Sequence, residues 1–181
     1  AMHCDLIVEP GAKLTLQNPS LAFAGQKGIT VGEGAELSIE GGLLIPNAGC
    51  SDNNVWRGIR VEGNPNEPQT PMQQGQLSMI GTTIERAKWG VQTSSGIVSV
   101  SGATFVNNEV GISFSGYRYG TSANLSEITN STFTINDEMP QGVTPAFIAL
   151  KHVAKIKIAG NTFQNVLILA FPAPKKGDGI R

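Results

Sequence analysis

Apolar and polar residues alternate along this chain in short bursts, and the bursts recur with the same internal offsets. Leu14-Thr15-Leu16 is followed five residues later by Leu21, and Leu37-Ser38-Ile39 by Leu44. The spacing returns in Leu77-Ser78-Met79 with Ile84, Val98-Ser99-Val100 with Phe105, Ser126-Glu127-Ile128 with Phe133, and Ile156-Lys157-Ile158 with Phe163. Period-two alternation turns one side of each burst to a core and the other to solvent, which predicts short half-buried strands. Among the inward slots of these units only Ser126 is polar.

Two residues after each burst stands Asn18, Gly41, Gly81, Gly102, Asn130 or Gly160. Glycine and asparagine tolerate the left-handed backbone conformation, so each position predicts a sharp bend between two strands. A third alternating strand completes the unit: Ile29 to Val31, Ile59 to Val61, Val91 to Thr93, Ile112 to Phe114 and Phe147 to Leu150. In the most compact unit Val91, Val98, Phe105 and Ile112 follow at intervals of seven, a 21-residue turn of three strands.

One such turn cannot bury its own apolar side, so turns must stack, each strand pairing in parallel with its equivalents above and below. The expected fold is all-β: a right-handed parallel β-helix of roughly six to seven rungs with three short strands per rung. It occupies residues 1–171 as a single domain, and 172–181 reads as a C-terminal linker or cut end. No unit leaves the dozen residues that a βαβ crossover needs, and unequal insertions disfavour the strict hexapeptide of left-handed coils. The outward column Thr15, Ser38, Ser78, Ser99, Glu127, Lys157 reads as a solvated hydroxyl-rich face with one opposite-charge pair at its end.

Composition narrows the partners. The net charge of −1 supplies no field for phosphate backbones or anionic lipid, and no apolar run reaches the ~18 residues of a membrane span. Neither a nucleic-acid partner nor a membrane span is expected. The first residues, AMHCDLIVEPGAKL, enter the alternation without a basic and then apolar leader. The chain therefore reads as an excised piece with neighbouring domains.

Insertions relative to the compact rung fall at residues 46–54, 63–74, 116–124 and 136–145, and in solenoids such insertions frequently make the binding face. Two of them, 63–74 and 116–124, flank the compact rung on one edge. They would wall a groove whose floor includes Gln92, Thr93, Ser94 and Ser95. Tyr117, Arg118 and Tyr119 offer aromatic faces and a planar cation for sugars, with Arg60, Asn64 and Glu67 facing the same groove. The alternative is that the two tyrosines pin their loop to the barrel. No catalytic set, metal site or cofactor site is read: the aspartates Asp5, Asp52, Asp137 and Asp178 are scattered, and His3 and His152 lie far apart in the coil.

The corner strings GATF, NSTF and GNTF, with FVNNEVGI after the first, resemble right-handed parallel β-helix proteins of the pectin-lyase-like superfamily. More narrowly, VEPGAKLTL, VWRGIRVEGNPNEPQTP and GTTIERAKWGV are similar to β-helix modules of large secreted bacterial surface proteins. The resemblance implies an extracellular or bacterial cell-surface location. With that location, Cys4 and Cys50 read as one disulfide, with a pair of free thiols as the alternative. The superfamily includes pectate lyases, with clustered acids holding calcium and an arginine base, and polygalacturonases, with aspartates on consecutive rungs. The corresponding outward positions here are Thr30, Arg60, Gln92, Ser113 and Ala149, so neither set carries over. The expected function is a noncatalytic rigid scaffold or adhesion module that binds a polysaccharide or surface glycan through its insertion loops. The alternative is a polysaccharide lyase or glycoside hydrolase; a trimeric shaft is a third reading.

Overall fold

The computed structural model describes residues 2–47, 55–117, 124–139, 143–166 and 178–180. The alternating bursts form one parallel sheet: β2 (Lys13–Gln17), β5 (Glu36–Glu40), β8 (Gln76–Ile80), β11 (Ile97–Ser101), β14 (Glu127–Thr129) and β17 (Lys157–Ala159). The strands beyond each bend form a second: β3 (Ser20–Phe23), β6 (Leu43–Pro46), β9 (Thr83–Glu85), β12 (Thr104–Val106), β15 (Thr132–Ile135) and β18 (Thr162–Asn165). The third sheet has seven strands: β1 (Leu6–Val8), β4 (Gly28–Val31), β7 (Trp56–Val61), β10 (Ala87–Ser94), β13 (Val110–Ser115), β16 (Ala146–Lys151) and β19 (Asp178–Ile180). All ladders between these strands are parallel, and no helix occurs among the described residues. The chain is thus a parallel β-helix of about six three-stranded rungs.

The bends lie where the sequence places them. Asn18, Gly41, Gly81, Gly102, Asn130 and Gly160 all have positive φ, from 46° to 67°. The expected columns are in register: Leu14, Leu37, Leu77 and Val98 pair in succession, as do Ile84, Phe105, Phe133 and Phe163. The outward hydroxyl column is equally continuous, and Lys157 Nζ lies 3.0 Å from Glu127 Oε2 at its end.

Ser126, the polar departure in an apolar column, is buried for a backbone reason. The ladder between β11 and β14 begins only at Ser99 and Glu127, and the Ser126 hydroxyl accepts the Val98 N–H at 3.1 Å. It also donates to the Gly96 carbonyl at 3.5 Å. Asn108 does the same work elsewhere: buried, it accepts from Ala87 N–H at 2.8 Å and donates to the Ile84 carbonyl at 3.0 Å. Buried backbone groups at rung corners have no ladder partner, and these side chains supply one.

Two expectations change. Within the stretch expected to be a linker, Asp178–Ile180 pairs with β16 instead. Cys4 is an exposed, unbridged thiol, and Cys50 lies outside the described residues, so the expected disulfide has no support in the structure.

Candidate ligand groove

The outward side chains of the third sheet come from alternate positions on β7, β10 and β13. Arg60, Gln92 and Ser113 stand side by side, and the next outward residues are Glu62, Ser94 and Ser115. All of these except Ser113 line a groove of about 480 Å³ together with Glu33, Val61 and Gly63. Glu33 follows β4, so the groove crosses four consecutive rungs, about 14 Å at the ~4.8 Å interstrand spacing.

The insertion at residues 63–74, of which Gly63 lines the groove, is folded around a single side chain. Gln74 is fully buried; its Oε1 accepts from the Asn64 N–H at 2.8 Å, and its Nε2 donates to the carbonyls of Asn64, Glu67 and Pro68 at 2.9, 3.1 and 3.1 Å. Gln69 joins this insertion to its neighbours in the coil: its Oε1 accepts from Leu125 N–H at 2.6 Å, and its Nε2 donates to the Ser95 carbonyl at 3.4 Å. A backbone that satisfies its own polar groups in this way keeps its shape without a ligand.

Arg60, Gln92 and Ser94 all line the groove. Thr93 and Ser95 do not. Thr93 faces inward by strand alternation, and Ser95, at φ 71°, is buried and donates to the Gly116 carbonyl at 3.4 Å. Asn64 and Glu67 are spent on the loop itself: Asn64 Oδ1 accepts from Asn66 N–H at 3.0 Å, and Glu67 Oε2 accepts from Gln73 Nε2 at 2.9 Å. Tyr117 is only 5% exposed, so its ring packs into the protein and presents no platform. Arg118 and Tyr119 lie outside the described residues.

Glu33, Glu62 and Ser115 are the lining residues that the sequence reading passed over. For Glu62 and Ser115 a signal existed: each lies two residues after an outward position already identified, so continuing the alternation reaches them.

Arg60 Nη2 stands 3.5 Å from Glu62 Oε1, with both side chains well exposed. A pair in this setting is worth under about 1 kcal/mol, so it opens at little cost to a competing hydrogen-bonding ligand. The nearby Arg57 is engaged elsewhere, 3.0 Å from Asp5 and donating to Thr30 at 3.3 Å. The Ser115 hydroxyl is oriented by donation to the Thr93 carbonyl at 3.3 Å. Among the described residues no three His, Cys, Asp or Glu side chains converge to hold a metal.

Comparison with known protein families, curated proteins and solved structures found no match. The arrangement itself offers hydroxyls, one amide, one guanidinium and two carboxylates on a rigid sheet face. That set can donate to and accept from many hydroxyl groups at once.

Proposed function

We propose that this chain is a noncatalytic β-helix module of the pectin-lyase-like kind, displayed outside the cell as a rigid scaffold, and that it holds a glycan in the groove on its seven-stranded sheet. The single observation that carries this reading is the polar lining contributed by Arg60, Glu62, Gln92, Ser94 and Ser115 across successive rungs. Arg60, Gln92, Ser94 and Ser115 stand on paired strands and Glu62 directly follows one, so little ordering entropy is lost when a ligand engages them. The corner strings and the three-sheet coil support the superfamily placement. Affinity electrophoresis against a polysaccharide panel tests the reading: retardation should appear for some member and weaken at least tenfold, about 1.4 kcal/mol, in the double variant Gln92→Ala/Ser94→Ala.

A second reading is favoured by one feature, the presence of Glu33 and Glu62 beside Arg60 in a single groove. Two carboxylates flanking a sugar are the minimum for acid–base cleavage. Incubation with the same panel, followed for new reducing or unsaturated ends, separates the two. Product that disappears in Glu62→Gln would establish an enzyme and remove the noncatalytic reading.

A further inference from the structure

The groove's charges and an aromatic residue outside the sequence-derived site together narrow the ligand class. This step rests on the glycan reading above. Glu33 and Glu62 line the groove against one cation, Arg60, which already pairs with Glu62. Lys151, one rung on and in register with Ser115, and Lys88, beside Trp89, are not part of the lining. A uronate chain would bring its own carboxylates against Glu33 and Glu62 with no unpaired guanidinium in the lining to receive them.

On the same strand as Gln92, the register of β10 against β7 shifts between Trp89 and Val91. Gly90 and Val91 both turn inward: a Cβ on Gly90 would come within 2.9 Å of the Phe105 ring, and Val91 is fully buried. The extra residue puts Trp89 on the outer face with Gln92, half-buried, outside the hydrophobic core and beyond the groove lining itself. Its in-register neighbour on β7 is Gly58, which has no side chain to cover the ring. Three residue steps along the strand take Trp89 to Gln92, about 10 Å at most. Lys88 Nζ lies 4.7 Å from the ring centroid, an exposed cation–π contact worth about 0.5–1 kcal/mol, weak enough for a sugar to displace.

We infer that the groove selects an uncharged oligosaccharide over a uronate one, and that Trp89 is the platform on which a sugar ring of that ligand packs. The apolar face of a pyranose covers the indole while its hydroxyls reach Gln92, Ser94 and the Arg60–Glu62 pair. No covalent change is involved.

Tryptophan fluorescence provides the test, because Trp56 is fully buried and only Trp89 reaches solvent. Wild type is titrated with cellohexaose, xylohexaose, mannohexaose and hexagalacturonate at low salt, and acrylamide quenching is read at each point. At least one uncharged hexasaccharide should bind about tenfold or more tightly than hexagalacturonate and should shield the exposed tryptophan. Glu62→Gln, which frees Arg60, should raise hexagalacturonate affinity several-fold, with the gain lost on adding salt. For the variants, which lack the fluorescent reporter, binding is read by isothermal titration calorimetry: Trp89→Ala should lose most uncharged-sugar binding, and Trp89→Phe, which keeps a ring, should retain part of it and guards against a folding defect. Hexagalacturonate binding as tightly as every uncharged probe would overturn the inference and leave the glycan reading standing. Uncharged-sugar binding unaffected by Trp89→Ala would remove the platform. No binding by any probe, in a panel that also gives no retardation, would take down the glycan reading itself.

Discussion

The rings of Phe105 and Phe133 lie one rung apart with centroids 4.7 Å from each other and planes within 5° of parallel. That separation is the interstrand spacing of a β-sheet, so side-chain stacking and backbone pairing share one pitch. Phe163 continues the pile at 5.3 Å from Phe133, and Phe147 closes in at 6.2 Å from the third sheet. At the other end Phe23 and Trp56 also stack at 4.7 Å, but across the core, from strands of two different sheets.

Removing the middle of the pile should therefore cost more than removing its end. Phe133→Ala is expected to destabilise by about 3–5 kcal/mol. Phe163→Ala, at a position 37% exposed, should cost well under half of that. Urea unfolding of both variants measures the difference; equal losses would show that the stack is not the common element.

Asn108 tests the corner hydrogen bonds. Asn108→Ala leaves the Ala87 N–H and the Ile84 carbonyl without their partner, a loss of about 1–3 kcal/mol. Asn66→Ala, in the exposed part of the 63–74 insertion, should fall within about 0.5 kcal/mol of wild type. Amide hydrogen exchange at Ala87 should rise selectively in the first variant.

The bends predict an asymmetry among glycines. Gly81 has φ 63° with open space around its Cα, so Gly81→Ala pays only for the backbone conformation, about 1 kcal/mol, while Gly81→Asn should be nearly neutral. Asn18 and Asn130 already occupy equivalent bends. Gly58→Ala is different in kind: at φ 95° the added Cβ would overlap the Trp89 carbonyl. That variant is expected to fail to give a cooperatively folded protein, which thermal melting would reveal.

Burial holds the Glu109 carboxyl above its ordinary value of 4.5, partly offset by the Lys88 ammonium. A carboxyl raised in the folded state favours folding when protonated, so that contribution is full below 4.5 and disappears as pH rises through the folded value. Glu109→Gln should accordingly gain stability relative to wild type between acid and neutral pH. Lys88→Ala should steepen the wild-type loss over the same interval. Unfolding free energies across that range decide the matter; a gap independent of pH would contradict it.

Cys4 offers a chemical check on the bridge expected from the sequence. As an exposed thiol it should take up iodoacetamide in the native, unreduced protein. Intact mass with no adduct before reduction, and two after it, would restore the Cys4–Cys50 disulfide.

All strands but β1 and β19, their register and all six bends were legible in the sequence, because each follows from a local rule: alternation selects a face, and only glycine or asparagine takes the left-handed corner cheaply. Stacking then had a single solution, since no other register keeps Ile84, Phe105, Phe133 and Phe163 together. The groove was legible only where alternation reached it, at Arg60, Gln92 and Ser94. Tyr117 turned inward, Asn64 and Glu67 folded into their own loop around Gln74, and a bulge rotated Trp89 outward. Those outcomes depend on hydrogen bonds and packing between residues distant in the chain, which no local pattern encodes; the coil was written in the repeat, and the surface it displays was decided by the contacts between its turns.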